Sequence, residues 1–414
     1  MLLIFLTARR VVLDFRRVMQ TITDTDTLAA LCGRLAAAPF VTVDTEFMRE
    51  STFFPKLCLV QVAGPDEAAA IDPLAEGLKL DPFLKLLRRK QVTKVFHAAR
   101  QDLEIFLNLM GELPVPVYDT QVAAMVCGFG EQASYETLCA RLAKATIDKS
   151  SRFTDWSRRP LSERQVTYAL SDVTHLRTVY QKLEARIAKS GRAGWVAEEM
   201  ATLTDKTTYV VEPREAWQRI RTRSHNPKFL AILRELAAWR ELEARARDIP
   251  RNRVLRDEAL LEIASDPPKD AAALARVRGF SKSMAEGRHG QAILSALARA
   301  EALEPAQYPR LDREPDRPKA SGPLIELLKV LLKMKCDEHD VAQKLVATVD
   351  DLEHLAVDDE ADVPALSGWR REVFGEAALA LKRGELALAV RRGRLTAIPT
   401  GAREEPMPAL AAAR

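Results

Sequence analysis

The sequence has no C-x-x-C pair and few cysteines, which are scattered singly along the chain. They are Cys32, Cys58, Cys127, Cys139 and Cys336. Disulfide frameworks and structural zinc sites need paired or regularly spaced cysteines, so neither is expected. Reduced thiols are typical of the cytoplasm, and we predict that location. Any metal site in this chain must therefore be built from oxygen ligands.

Long apolar runs are also missing, because none approaches the ~20 residues that span a membrane. We therefore expect no membrane association. The apolar run at residues 1–6 ends before Arg9 and Arg10, which makes it shorter than the ~7–15 residues of a signal-peptide core, and no small-residue cleavage site follows. Met19 precedes the first well-patterned segment, so we interpret residues 1–18 as an uncertain N-terminal extension.

Charge of one sign is not in large excess, since 62 basic and 58 acidic residues leave a net charge of +4. This balance permits a nucleic-acid partner without demanding one, because local patches matter more than the total. The chain is 47% hydrophobic and 29% charged, which is typical of an ordered protein. Its 414 residues exceed one hydrophobic core and predict two or three domains.

Short β-rich runs alternate with helical patterns over the first 200 residues. The predicted strands are 40–43, 57–62, 68–71, 92–96 and 115–118. From Ser162 onward the pattern is helical to the end of the patterned region, with a Pro- and charge-rich stretch at 301–322. The sequence thus predicts an α/β domain with a mixed sheet flanked by helices, followed by two helical blocks.

The first strand ends in a D-x-E pattern, Asp44-Thr45-Glu46. Residues two apart on a strand point to the same face. Two carboxylates placed together are unfavourable unless a cation lies between them. The alternative is a polar strand end that opens a turn, and the pattern alone does not distinguish the two.

Two further acids stand at helical positions. Asp102 follows the strand at 92–96 and falls in the first turn of a helix, where acids are common for dipole reasons alone. Tyr168 and Asp172 are four residues apart and share one helix face. A capping-box pattern, Ser162 to Gln165, supports that helix. Taken alone, a Tyr/Asp pair is usually a surface hydrogen bond.

The combination of these acids is more informative than any one of them. Four carboxylates in this order could hold two divalent cations ~3.5–4 Å apart, the arrangement that serves phosphodiester hydrolysis. Oxygen ligands select hard ions such as Mg²⁺ or Mn²⁺. The phenol of Tyr168 could then orient the attacking water.

Four stretches of sequence match one family. They are VDTEF at 43–47 with FPKLCLVQ at 54–61, HAARQDL at 97–103, VYDTQ at 117–121, and DWSRRPL at 155–161 leading to YALSDV at 168–173. On these motifs the chain resembles the tyrosine-bearing branch of the DEDD 3′-5′ exonuclease superfamily and, within it, the ribonuclease D family. The resemblance implies a ribonuclease H-like fold and removal of nucleoside 5′-monophosphates from RNA 3′ ends, with precursor tRNA as the substrate class.

The resemblance also assigns roles to the acids. It implies that Asp44, Glu46 and Asp172 hold one metal ion, that Asp44 bridges to a second, and that Asp102 supports the second directly or through water. The sister branch carries a histidine five residues before Asp172, where this chain has Thr167; Tyr168 fits the tyrosine branch instead. No obligate protein partner is expected.

Several other residues near these motifs were considered as site residues. Asp119 lies at a strand-to-helix junction and is interpreted as an N-cap, not a ligand. His175 lies three residues beyond Asp172 and is not the histidine of the sister branch. The candidate substrate-binding residues are Phe47, Trp156, Arg158 and Arg159. For the last three the alternative is that they tie their loop down.

The helical blocks resemble a second family. WRE at 239–241, DIPRNRV at 248–254 and GF at 279–280 resemble the helicase-and-ribonuclease-D C-terminal (HRDC) domain, a small helical bundle. GWRR at 368–371 and FG at 374–375 form a fainter copy, so two HRDC-type bundles are expected. Arg251 and Arg253 could contact phosphates, or they could simply lie on a solvated face.

These expectations give a domain map. It comprises an extension at 1–18, an exonuclease domain at 19–205, a first HRDC domain at 220–300, a linker at 301–322, an HRDC-like domain at 323–398 and a disordered tail at 399–414. Two rival functions stay open. One is a DNA-directed exonuclease, which matched RNA and DNA oligonucleotides would distinguish. The other is an RNA-binding scaffold with a decayed site, which the presence of all four acids and the tyrosine disfavours.

Overall fold

The computed structural model describes residues 19–148, 150–310 and 321–401. The predicted extension at 1–18, residues 311–320 of the predicted linker and residues 402–414 of the predicted tail lie outside the described residues. The chain divides into two compact units. Unit 1 contains the described residues of Met1–Thr120, Tyr135–Gln181 and Glu199–Pro315, and unit 2 those of Gln121–Ser134, Lys182–Glu198 and Asp316–Arg414.

A six-stranded mixed sheet forms the centre of unit 1. Its strands are β1 (Met19–Ile22), β2 (Phe40–Met48), β3 (Lys56–Ala63), β4 (Ala68–Ile71), β5 (Thr93–Phe96) and β6 (Val117–Asp119). They lie in the order β1-β4-β3-β2-β5-β6. The pairs β2–β3 and β3–β4 are antiparallel, and the other three pairs are parallel.

The helices are numbered in chain order. Those up to residue 203 are α1 (Thr25–Leu35), α2 (Asp81–Leu87), α3 (Arg100–Met110), α4 (Thr120–Val126), α5 (Tyr135–Leu138), α6 (Glu163–Ser190) and α7 (Ala193–Leu203). Those from 227 to 301 are α8 (Pro227–Arg247), α9 (Arg251–Val254), α10 (Asp257–Ser265), α11 (Ala271–Leu274), α12 (Lys282–Glu286) and α13 (Arg288–Glu301). Those from 322 onward are α14 (Gly322–Glu338), α15 (Gln343–Val346), α16 (Val349–Val357), α17 (Gly368–Arg370) and α18 (Glu376–Lys382). Short 3₁₀ segments lie at Lys206–Thr208, Pro213–Arg219, Pro305–Gln307 and Pro364–Leu366, and π-helical turns at Cys139–Ala143 and Arg371–Gly375.

The sheet is buried on both faces, which explains why β3 is apolar along nearly its whole length. One face contributes Val60 and Val62 to a core shared with helices α1, α2 and α3. The other contributes Leu59 and Ala63 to a core with α6 and Trp156. The predicted mixed sheet flanked by helices is confirmed.

The D-x-E pair lies inside a strand and not at its end as predicted, because β2 continues to Met48. Its pairing with β3 extends beyond the acids, with Asp44 opposite Gln61 and a register shift between Glu46 and Phe47. Strand β1 was not predicted from the sequence; its four residues pair in parallel with β4.

The first helical block folds around α8. Its N-cap Asn226 accepts hydrogen bonds from the backbone of the first turn, and the helix ends at Asp248 in a left-handed conformation. Leu233 and Leu236 of α8 pack with Leu260 and Ile293 in one core. The predicted helical bundle is confirmed for this block.

Unit 2, described by itself, is helical from Gly322 to Lys382. The helical interpretation is wrong for its last segment, where β7 (Leu386–Arg391) and β8 (Arg394–Pro399) form an antiparallel hairpin. The hairpin turns at Arg392 and Gly393, both with positive φ, as a two-residue hairpin loop requires. Every second side chain of the hairpin packs on the core, among them Leu386 and Leu388. This period of two is typical of a strand, whereas the sequence pattern was interpreted as helical.

Two expectations on covalent and membrane features can be compared with the described part of the chain. All five cysteines are free and buried. Across residues 19–148, 150–310 and 321–401, no helix has both the length and the apolarity to cross a bilayer.

Candidate active site

Three carboxylates converge between β2 and α6. One oxygen atom each from Asp44, Glu46 and Asp172 lies within 4.8 Å of the others. The helix is held against the strand at this point, because the Thr42 hydroxyl donates to the Val173 carbonyl oxygen at 2.8 Å. The strand face and the helix face that the sequence pattern predicted therefore meet.

The fourth acid, Asp102, lies in the first turn of α3, as predicted, and is buried. The Thr45 hydroxyl donates to its carboxylate at 2.5 Å. Thr45 lies between the two acids of the D-x-E pattern, so this hydrogen bond fixes Asp102 beside β2. The carboxylate is not one of the three that converge within 4.8 Å, but its charge acts on Glu46.

The surroundings of the four acids disfavour the charged form of each carboxyl group. Burial raises the pKa of Asp44 to about 6 and that of Asp172 to about 8. Burial together with the charges of Asp44, Asp172 and Asp102 raises the pKa of Glu46 to about 9. The pKa of Asp102 is raised by burial and by Asp44. A cluster of oxygen donors with this excess of negative charge fits a hard divalent cation.

Tyr168 lies one turn before Asp172 on α6, and its phenol lies within electrostatic range of Asp172, Glu46 and Asp44. Burial and the neighbouring acids raise the pKa of the phenol, so it stays protonated at neutral pH. The ring of Trp156 lies against it, with centroids 6.1 Å apart. The predicted capping box at the start of α6 is present: the Ser162 amide donates to the Gln165 side chain at 3.0 Å. Tyr168 thus places its hydroxyl close enough to the acid cluster for the acids to act on it.

Asp119 lies directly before α4, where it is predicted to be the N-cap, and its carboxylate also contacts the segment before α3. Its carboxylate accepts from the amides of Ala98 at 3.0 Å and Ala99 at 2.8 Å, just before α3 begins. Ala98 has φ 58°, an unfavourable conformation for a residue with a Cβ. The long-range cap holds this strained turn, and with it the start of the helix that carries Asp102.

The candidate substrate-binding residues fall into two groups. Phe47 is partly buried and packs against the core, and Trp156 is 2% exposed. Arg159 donates to both carboxylate oxygens of Asp72, each at 2.6 Å. For Trp156 and Arg159 these contacts favour the alternative that they tie the loop down. Arg158 is exposed and pairs with Asp155 at 3.1 Å.

Sequence reasoning missed three residues around the acids. Tyr135 on α5 donates to the Ser171 carbonyl oxygen at 2.9 Å, next to Asp172. Arg152 and Phe153 lie in the loop before α6, and the charge of Arg152 lowers the pKa of Asp172. These positions lie between the matched motifs. An aromatic next to an arginine was the only available signal for Arg152 and Phe153, and nothing in the sequence singled out Tyr135.

Arg251 and Arg253, the two arginines that could contact phosphates, differ in their surroundings. Arg251 donates to Glu241 at 2.5 and 2.8 Å and lies 4.5 Å from the Phe53 ring centre. It therefore serves packing of the first helical block within unit 1. Asp248 adds to this contact by accepting from the Phe53 amide at 3.0 Å. Arg253 is exposed.

Comparison with known proteins places the chain among characterised sequences. A family model described as a 3′-5′ exonuclease matches residues 19–188, and an HRDC domain model matches residues 229–297. The second HRDC-like block, at 323–398, stays a prediction.

Whole-length relatives match as well. The chain is 53% identical to ribonuclease D of Gluconacetobacter diazotrophicus and 52% identical to that of Granulibacter bethesdensis, in both cases over 88% of this chain and 92% of the relative. Among solved structures, Escherichia coli RNase D, described as an exoribonuclease involved in structured RNA processing, aligns with a TM-score of 0.75 and 33% identity. That alignment covers 88% of this chain and 99% of the other.

Proposed function

This chain belongs to the ribonuclease D family of 3′-5′ exoribonucleases, and from that premise we propose that its acid cluster hydrolyses the terminal phosphodiester of RNA. The observation that carries the proposal is the convergence of Asp44, Glu46 and Asp172 within 4.8 Å, with Tyr168 one helical turn before Asp172. The products are nucleoside 5′-monophosphates released one at a time from the 3′ end.

The acids and the tyrosine have different roles in the proposed reaction. Asp44, Glu46 and Asp172 would hold one divalent cation and Asp44 with Asp102 a second, either Mg²⁺ or Mn²⁺. When bound, these ions activate water and stabilise charge on the departing 3′-oxygen. Tyr168 keeps its proton and orients the attacking water through its hydroxyl. Thr45 holds Asp102, and Asp119 holds the helix on which Asp102 lies.

The substrate class and location complete the proposal. The Escherichia coli relative acts in structured RNA processing, which supports RNAs with a folded body and a single-stranded 3′ end, such as precursor tRNA. Five free, buried cysteines support action in the cytoplasm. We keep the domain limits 19–205, 220–300 and 323–398 as part of the same proposal.

A labelled-RNA assay tests the activity. With Mg²⁺ or Mn²⁺, a 5′-labelled RNA should shorten stepwise from its 3′ end, and EDTA should stop the reaction because the clustered acids cannot act without a cation. Restoring excess metal should restore the rate. A matched DNA oligonucleotide serves as control. Hydrolysis that persists in EDTA, or faster degradation of the DNA, would overturn the proposal.

Removing the tyrosine hydroxyl should slow hydrolysis without unfolding the site. Tyr168→Phe is expected to lower the single-turnover rate by about 10²–10⁴-fold, the range for loss of a group that positions a proton in the transition state. Tyr209→Phe is the matched control, since the Tyr209 hydroxyl donates to the Leu203 carbonyl oxygen at 2.7 Å, away from the acids. Equal rates for the two variants would remove Tyr168 from the mechanism.

A further inference from the structure

Phe153 is the most exposed large apolar side chain among the residues that the structure describes, at 92% of its accessible surface. It stands at the tip of a closed turn. The amide and the hydroxyl of Thr154 both donate to the Ser151 carbonyl oxygen, at 3.2 and 2.8 Å, and Ser151 is buried. The turn is therefore fixed while its aromatic side chain points into solvent.

The turn is anchored to the same helix end that carries the active-site tyrosine. Gln165 of α6 donates to the Thr154 hydroxyl at 3.2 Å. Two residues further along, Trp156 is buried and its ring lies 6.1 Å from that of Tyr168. Both anchors are on the N-terminal part of α6, the helix that also carries Asp172.

Arg152 adds a positive charge at this position. Its guanidinium lies 5.3 Å from the centre of the Phe153 ring. Its charge lowers the pKa of Glu46, Tyr168 and Asp172, which places it within electrostatic range of all three. Other arginines nearby are paired with acids: Arg158 with Asp155, and Arg164 with Asp148.

We propose that Phe153 and Arg152 form a stacking arm, in which the Phe153 ring stacks on one of the 3′-terminal bases of the RNA and Arg152 contacts the adjacent phosphate. Single-stranded nucleic acid is bound in this way by aromatic rings and arginine, without preference among the bases because each has a π-face. This inference rests on the proposed function and names the part of the protein that grips the RNA end.

A double-mutant cycle, which combines a substitution at Phe153 with removal of single bases from the RNA, tests the stacking. Dissociation constants are measured in an Asp44→Asn background, so that the RNA is not hydrolysed, for intact RNA and for RNAs with one abasic nucleotide at each of the last four positions. Phe153→Ala should weaken binding of intact RNA by about 5- to 150-fold. It should have no further effect when the abasic nucleotide is at the stacked position.

Two substitutions at the same position separate stacking from general apolarity. Phe153→Trp should bind as tightly as the parent, whereas Phe153→Leu should resemble Phe153→Ala. The thermal midpoint should not change in any of them, since the side chain is almost wholly exposed. An unchanged dissociation constant for Phe153→Ala, or equal weakening on every abasic RNA, would overturn the proposal.

The phosphate contact has its own measurement. Arg152→Gln should reduce the slope of log affinity against log salt by about one and act equally on all base sequences. Arg34→Gln, which removes an exposed arginine paired with Glu67, should leave the slope unchanged. An unchanged slope for Arg152→Gln would refute the phosphate contact. Hydrolysis of intact RNA by the unmodified protein separates failure of the stacking arm from failure of the proposed function. If the protein hydrolyses RNA but Phe153→Ala shows no dependence on the abasic position, only the stacking arm is wrong.

Discussion

Replacing Asp44 or Asp172 with asparagine is expected to abolish RNA hydrolysis while the protein stays folded. The amide keeps the shape of the carboxylate but loses its charge, and metal-assisted stabilisation of the transition state amounts to several kcal/mol. A loss of about 4 kcal/mol corresponds to a rate about 10³-fold lower. The measurement is single-turnover cleavage of 5′-labelled RNA in saturating Mg²⁺.

The folded state of these variants can be checked independently. In EDTA each should melt no earlier than the unmodified chain, because burial raises the pKa of both acids, the charge of Asp44 also raises that of Asp172, and a neutral amide avoids the cost of burying charge. Asp26→Asn, an exposed acid on α1, is the control and should retain full activity. Undiminished turnover by Asp44→Asn or Asp172→Asn would contradict the assignment of the site.

Replacing Arg159 with alanine should destabilise the protein by about 3–5 kcal/mol, the usual cost of leaving a buried charge unpaired. The partner left behind is Asp72, which is 5% exposed. The change also removes donors to the Cys58 and Trp156 carbonyl oxygens, at 2.6 and 2.8 Å. Urea unfolding monitored by circular dichroism measures the difference in free energy.

A double-substitution cycle identifies the cause of this loss. Removing Asp72 together with Arg159 should cost less than the sum of the two single changes, because no buried charge is then left alone. Arg158→Ala is the matched control on the same loop. Its side chain is 85% exposed, so the expected change is within about 0.5 kcal/mol. Weaker RNA binding by Arg159→Ala at unchanged stability would restore the substrate-binding role.

Local pattern was sufficient for the elements with strong periodicity. Strands β2 to β5 each overlap a β-rich run that was predicted from the sequence, and α6 begins directly after the first residue of its capping box. The pattern failed where pairing with a distant segment decides the structure. Strand β1 is short and depends on β4, and the hairpin of β7 and β8 depends on a turn that places Arg392 at a positive φ. An arginine at that position gives no sequence signal for such a turn.

The site shows the same division. The four acids were predicted because their order and spacing match a family, and Asp102 was correctly placed in the first turn of a helix. The hydrogen bonds from Ala98 and Ala99 to Asp119 were not predicted, because they join segments that are far apart in the sequence. Arg159 was left between two interpretations, since its partner Asp72 is far away in the sequence. The role of a side chain whose partner is far away in the sequence cannot be predicted from the residues next to it.

The acids lie on separate elements, so the acid cluster is complete only after α6 has formed and packed against β2. Asp44 and Glu46 are made early on β2, but Asp172 arrives only with α6 and is docked through contacts such as Thr42 to Val173. A polypeptide that ends before this helix carries two of the three carboxylates that converge. If the acids act as proposed, a chain truncated before α6 is expected to lack nuclease activity even where its sheet has formed.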